Sequence, residues 1–225
     1  FYEAQIEDAV ASACRQALHP PALCVEIGAG SDRYEADLLR APARHDVRTV
    51  SPDDPMLLMY TSGTTGTPKG ALLPHRKALY NSLNAQLFFG IRSDDRVLVA
   101  APLFHSLGLQ ILALPLLYCG GSLFLQERFD PEQVWRAVTD EGIRYFGGVP
   151  SMHQRLHDEL RAAPRGRYEL GGLRFVFTAG AAVPVDLIHA FEAQGLILKQ
   201  GYGQTETSIL CCLDACDAVR KAGSV

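Results

Sequence analysis

Tyr60–Gly70 reads YTSGTTGTPKG: three glycines, four threonines, one serine and one lysine in eleven residues, at the end of the apolar run MLLMYT (56–61). A loop that holds phosphate needs backbone N–H groups free to converge, and glycine lets the chain make the turns that converge them. Hydroxyl groups add donors and a lysine adds a mobile cation. Thr61, Ser62, Gly63, Thr64, Thr65, Gly66, Lys69 and Gly70 supply all three ingredients. The pattern is not the loop of the common nucleoside triphosphatases, because Lys69 follows Pro68 and precedes Gly70, where that loop needs Gly-Lys-Ser/Thr. Composition alone leaves a flexible Gly/Thr linker as a competitor. What argues against a linker is the return, straight after Lys69-Gly70, to another apolar strand-like run and then a helix from His75.

Outward from this loop, short β-like runs alternate with helical spacing. The runs are LCVEI (23–27), MLLMYT (56–61), RVLVAA (96–101), SLFL (122–125), IRYFGGV (143–149), LRFVFTAG (173–180) and LILKQGY (196–202). Helical periodicity falls on His75–Phe89, Pro131–Glu141, Pro150–Ala162 and Pro184–Gln194. The last three open with Pro in the first turn, where its missing N–H costs nothing. Such alternation predicts an α/β fold with helices packed on largely parallel sheets. A sub-boundary is expected near residues 41–55, where Pro42, Pro52 and Pro55 cluster, within one partial large domain covering 1–225.

The chain's 225 residues are enough for a sizeable core. A formal net charge of -4 leaves no basic field for nucleic acid. The most apolar stretch, Leu107–Gly121, is broken by Pro115 and is shorter than the roughly 20 residues of a membrane span, so it reads as a buried helix. The start, Phe1-Tyr2-Glu3, has no apolar leader segment, and the expected compartment is the cytoplasm. None of the six cysteines forms a Cys-x-x-Cys pair; Cys14, Cys24 and Cys119 read as small buried hydrophobes. His153 and His157 have the spacing of metal ligands on a helix, but nothing nearby completes a site, and a surface helix is expected.

TSGTTGTPKG closely resembles the signature loop of the adenylate-forming superfamily, which includes acyl-CoA synthetases, peptide-synthetase adenylation domains and beetle luciferases. Three further segments resemble that superfamily in the same order: APLFH (101–105) its acyl-pocket motif, FTAGAAVP (177–184) its adenine-side loop, and QGYGQTETS (200–208) its adenine and magnesium motif. The resemblance implies the acyl-CoA synthetase branch: a carboxylic acid and ATP give acyl-AMP and pyrophosphate, and CoA then takes the acyl group. ATP, Mg²⁺ and CoA are the implied small molecules.

By the same resemblance, the loop from Thr61 to Gly70 closes over the β- and γ-phosphates, with Lys69 countering the departing pyrophosphate. Gly180, Ala181 and Ala182 flank the nucleotide or acyl group. Tyr202 lies against adenine, Gly203 permits close approach, Thr205 bonds the α-phosphate and Glu206 holds Mg²⁺. His105 stands at the wall between nucleotide and acid. Amino-acid-activating relatives carry an aspartate there, so histidine disfavours an α-amino acid and leaves fatty, medium-chain and aryl acids open. Apolar Leu107, Leu109, Ile111, Leu112 and Val149 suit such acids. Other superfamily elements are missing from this sequence: the Thr-Gly-Asp motif for ribose, the arginine and hinge motifs after it, and the lysine-bearing C-terminal domain. The chain is therefore expected to be a fragment of the N-terminal domain, inactive or nearly so alone. The competing expectation is a non-catalytic nucleotide-binding or interaction module that keeps the motifs as scaffold.

Overall fold

The computed structural model describes residues 2–3, 6–22, 24, 26–27, 32–42, 49–62 and 66–225. The chain divides into two compact units, Phe1–Thr49 and Val50–Val225. In the first, strand β1 (Tyr2–Glu3) runs parallel to β2 (Glu26–Ile27). Between them lies helix α1 (Glu7–Gln16), and helix α2 (Asp32–Arg40) follows. The acidic residues Glu7 and Asp8 in the first turn of α1 and Arg15 in its last complement the helix dipole. Of the expected run LCVEI only Glu26–Ile27 is strand, and Leu23 and Val25 lie outside the described residues. Cys14 and Cys24, expected to be buried, are part-exposed, with sulfurs 3.7 Å apart. Cys119, in the second unit, is also only partly buried.

The second unit begins with an antiparallel hairpin, β3 (Pro55–Thr61) and β4 (Lys69–Pro74), in which Thr61 faces Lys69 and Tyr60 faces Gly70. Helix α3 (His75–Phe89) leaves β4 directly. Then come β5 (Arg96–Val99), a π-helical segment (Leu107–Ala113), α4 (Leu114–Tyr118) and β6 (Ser122–Leu125). Next are α5 (Pro131–Asp140), β7 (Tyr145–Gly148), α6 (Pro150–Ala162) and β8 (Phe175–Thr178). Helix α7 (Val185–Glu192), β9 (Leu198–Gln204) and β10 (Ser208–Cys212) complete it. The apolar run Leu107–Gly121 is thus helical and largely buried, but its first seven residues take the wide π turn. Among the described residues no helix is long and apolar enough to cross a membrane.

Six strands form one sheet in the order β10-β9-β8-β7-β5-β6, parallel except for the β9–β10 hairpin. Successive strand side chains point to opposite faces, and the apolar residues sort accordingly. Val97, Val99, Tyr145, Phe175 and Phe177 face α3 and the π-helical segment, packing on Phe89, Leu107, Ile111 and Leu112. Leu98, Phe146, Val176 and Leu198 face the other way, against Trp135 and Val138 of α5, Leu156 of α6 and Phe191 of α7. Strands buried on both faces read as continuous apolar runs, which is why FVFT and RVLV carry no alternation.

At the sheet's amino-terminal edge, the nearly buried Asp95 accepts from Arg174 at 2.8 Å and from the backbone of Arg92 at 2.9 Å. Arg174 also donates to the carbonyl of Gly90 and lies over the rings of Tyr145 and Phe175. This cluster fastens the start of β5 to the start of β8. Helix α6 is the expected surface helix, packed by one face, but its first histidine lies on the packed face: His153 is fully buried, its Nε2 3.0 Å from the carbonyl oxygen of Phe177. Burial pushes its pKa down to about 4. It is a core residue under β8, and among the described residues no cluster could hold a metal ion.

Candidate functional site

The chain leaves β5 for β6 on one side, then crosses back to β7, β8 and β9 on the other. Where the winding reverses, the loops after neighbouring strands part, and open α/β sheets bind ligands at the carboxyl ends of the strands there. A cleft of about 210 Å³ lies at this edge. Its walls are His105 and Ser106 after β5, Leu107 and Ile111 of the π-helical segment, and Val149 after β7. Ala179 and Gly180 after β8, Tyr202 to Gln204 at the end of β9, Thr205 just past it, and Ile209 of β10 complete it.

Five of the residues picked out by the motifs therefore meet around one cavity: His105, Gly180, Tyr202, Gly203 and Thr205. Nδ1 of His105 accepts the backbone N–H of Leu107 at 3.3 Å, so the neutral ring carries its proton on Nε2. Buried Ser106 beside it has no partner for its hydroxyl among the described residues. Tyr202 is 56% exposed, leaving much of its ring uncovered for a flat ligand. Gly180 has φ +89°, a left-handed turn that ends β8 and lets the chain swing into α7. A Cβ on Gly203 would stand 2.0 Å from the carbonyl oxygen of Ser208, so only glycine lets β9 fold back against β10 this tightly.

The other motif residues sit elsewhere. Ala181 and Ala182 are exposed and do not line the cleft, although they follow Gly180 directly. Glu206 is exposed in the turn just past Thr205. Thr61 and Lys69 pair across the open end of the β3–β4 hairpin, the Thr61 hydroxyl donating to the Lys69 carbonyl at 3.4 Å. Ser62, Gly66, Lys69 and Gly70 are exposed, and none lines the cleft. Gly63, Thr64 and Thr65 lie outside the described residues.

Sequence reasoning missed a polar cluster behind the cleft. Lys77 of α3 donates to the Gln110 side chain, to the carbonyl of Thr205 at 3.1 Å and to the hydroxyl of Ser208 at 2.8 Å. Burial lowers its pKa to about 8, against the opposing pull of Glu206. The hydroxyl of Ser208 donates to Gln110 at 3.1 Å, and the Gln110 amide reaches the sulfur of Met59 in β3. The visible signal was Gln110 itself, a lone amide in the apolar stretch LGLQILALPLL. A second cavity of about 320 Å³ lies between α3 and β10, lined by Asn81, Asn84, Phe88 and Leu210 among others, and shares Ile209 with the cleft.

Residues 3–225 match the model of the AMP-binding enzyme family. The chain belongs to that family. Within it, the chain is similar to a feruloyl-CoA synthase of Amycolatopsis sp, 43% identical over 78% of this chain and 35% of that protein. It is also similar to the indoleacetate–CoA ligase of Aromatoleum aromaticum, 38% identical over 78% of this chain and 34% of that protein. Among solved structures, the inhibitor-bound N-terminal domain of FACL13 from Mycobacterium tuberculosis superposes with a TM-score of 0.81, at 30% identity, covering 99% of this chain and 55% of that one. ATP-bound MatB from Rhodopseudomonas palustris gives 0.81 at 25% identity, covering 95% and 41%. The chain matches about a third of the length of these two CoA ligases. This AMP-binding family member thus has the α/β fold, with a mostly parallel sheet, of the N-terminal domains of adenylate-forming enzymes.

Proposed function

We propose that this chain carries the nucleotide and acid sites of an ATP-dependent acyl-CoA ligase. The observation that carries the reading is the convergence of His105, Gly180, Tyr202, Gly203 and Thr205, from three separate motifs, on one cleft at the sheet's switch point. In this reading a carboxylate oxygen attacks the α-phosphorus of ATP and pyrophosphate leaves. A CoA thiol then attacks the acyl carbon and AMP leaves. A carboxylate is a poor electrophile, so the site's first task is to bring two anions together and hold them aligned.

The uncovered Tyr202 ring receives adenine, and the tight backbone at Gly203 lets the nucleotide lie close to β9. Thr205 bonds the α-phosphate. His105, whose Nδ1 is taken by the backbone of Leu107, keeps its Nε2–H to donate to the carboxylate, while Leu107, Ile111 and Val149 give the acid an apolar wall. In this reading the loop sequence Thr61, Ser62, Gly63, Thr64, Thr65, Gly66 and Gly70 serves the phosphates, with Lys69 countering charge on the leaving pyrophosphate. Glu206 offers one exposed carboxylate, and among the described residues no group of acids, histidines or cysteines forms a metal cage, which suits Mg²⁺ arriving with the nucleotide phosphates rather than a resident metal. Mg²⁺, when bound, neutralises phosphate charge.

Among fatty, medium-chain and aryl acids we favour an aromatic acid, because feruloyl, indoleacetate and 2-succinylbenzoate ligases occur at 43%, 38% and 33% identity, although a sulfoacetate ligase is 35% identical over 97% of this chain. The test is the complete gene product with ATP, Mg²⁺, CoA and a panel of hydroxycinnamic, indole-acetic and fatty acids. Acid-dependent AMP and a thioester are expected, with aromatic acids preferred. Nucleotide binding without either product with any acid would point to a non-catalytic module instead.

A further inference from the structure

A lysine on a helix normally keeps its ammonium in water. Lys77 turns its ammonium inward from the first turn of α3, and all three of its N–H donors have an acceptor: the Gln110 side chain, the Thr205 carbonyl and the Ser208 hydroxyl. The acceptors come from two other parts of the fold. Gln110 belongs to the π-helical segment, whose wide turn loosens the backbone ladder; its own carbonyl is taken by the Asn81 side chain from α3. Thr205 and Ser208 bracket the turn between β9 and β10. Ser208 is fully buried and holds φ +60°, the left-handed region that a non-glycine residue enters only when its surroundings impose it. The cluster continues to the phosphate-loop hairpin, because the Gln110 amide donates to the sulfur of Met59, itself buried in β3.

We propose that Lys77 is a positioning residue for nucleotide: by holding the Thr205 carbonyl and the Ser208 hydroxyl against Gln110, it sets the Thr205–Glu206 turn relative to the β3–β4 hairpin. This rests on the adenylation reading for its ligand. The Lys77 ammonium spends its donors on protein acceptors, so it acts on ATP through the turn and not by touching phosphate. Bonds to charged groups are the strong ones, and nothing else in the cluster supplies three donors at one point.

The test is calorimetric titration of the complete gene product with MgATP, alongside acid-dependent ATP–pyrophosphate exchange. Lys77→Met keeps the stem and removes the donors. MgATP binding is expected to weaken about tenfold or more, with the exchange KM for MgATP rising in parallel and that for the acid unchanged. A variant that merely folded less well would lose active sites without moving either constant. Ser208→Ala is expected to weaken MgATP binding less than Lys77→Met and to add nothing in the double variant, since both act through one turn. It also keeps the test alive should Lys77→Met fail to fold.

Unchanged MgATP binding in Lys77→Met, or in Ser208→Ala if only that variant folds, overturns the proposal while leaving adenylation intact. Multiplying effects in the double variant overturn it too. If the wild type binds MgATP but exchanges with no acid, the adenylation reading fails and the affinity ratio still judges Lys77. A wild type that does not bind MgATP overturns both.

Discussion

At the scale of single residues, the chemistry divides between groups that meet the ligand and groups that hold them. Tyr202 is proposed to be of the first kind, and on that reading Tyr202→Ala is expected to raise the KM for ATP by up to about tenfold, the worth of one aromatic face, leaving the acid's KM unchanged in the exchange assay. His153 belongs to the second kind and has a pH signature. Its folded pKa of about 4 lies below the ordinary 6.5, so the unfolded chain binds the extra proton between those values. Its contribution to stability is complete above pH 6.5 and is lost as pH falls toward 4. That contribution is on the order of 3 kcal/mol. Denaturant melts at pH 7 and pH 4.5 should show His153→Phe losing less stability than the wild type across that interval. Equal losses would remove His153 from the account of acid sensitivity.

At the scale of elements, the β9–β10 hairpin and the Asp95–Arg174 clamp are the parts most exposed to a single change. Gly203→Ala forces a methyl into the Ser208 carbonyl and should destabilise by about 1–3 kcal/mol, as overpacking does, and weaken nucleotide binding with it. Arg174→Ala strips the partner from nearly buried Asp95 and should cost about 3 kcal/mol or more in a denaturant melt. It lies at the sheet edge opposite the cleft, so the KM values of the folded fraction should not move.

The elements legible in the sequence were those with local punctuation. Helices α5 and α6 open on a proline in the first turn, and the Asp130 side chain caps α5 by accepting from the backbone of Gln133. Helix α3 follows a strand-ending Pro74 and matches the expected His75–Phe89. Strand β10 was missed because SILCC has no turn signal of its own; its start is fixed by Ser208 in a left-handed conformation, which sequence does not advertise. The π geometry of Leu107–Ala113 was equally hidden, since an apolar run of this kind reads the same in α and π form.

At the scale of the whole molecule, the six-stranded sheet works as a frame that turns sequence order into spatial order. His105, Gly180 and Tyr202 are far apart in the chain, yet the first two follow β5 and β8 and the third lies near the end of β9, and the parallel strands deliver their ends to one edge. That is why residues from separate motifs meet around one cleft. The Lys77–Gln110–Ser208 cluster was not legible, because it depends on how α3, the π-helical segment and β10 pack, and no local pattern encodes that meeting.

The central claim is that the loop YTSGTTGTPKG serves pyrophosphate release in carboxylate activation. The most direct measurement is acid-dependent ATP–pyrophosphate exchange by the complete gene product and its Lys69→Ala variant. The account predicts exchange that requires the acid and falls by about 10²–10³-fold in the variant, the loss typical of removing one group aimed at developing charge. Equal exchange in both proteins, or exchange that proceeds without any acid, would contradict it.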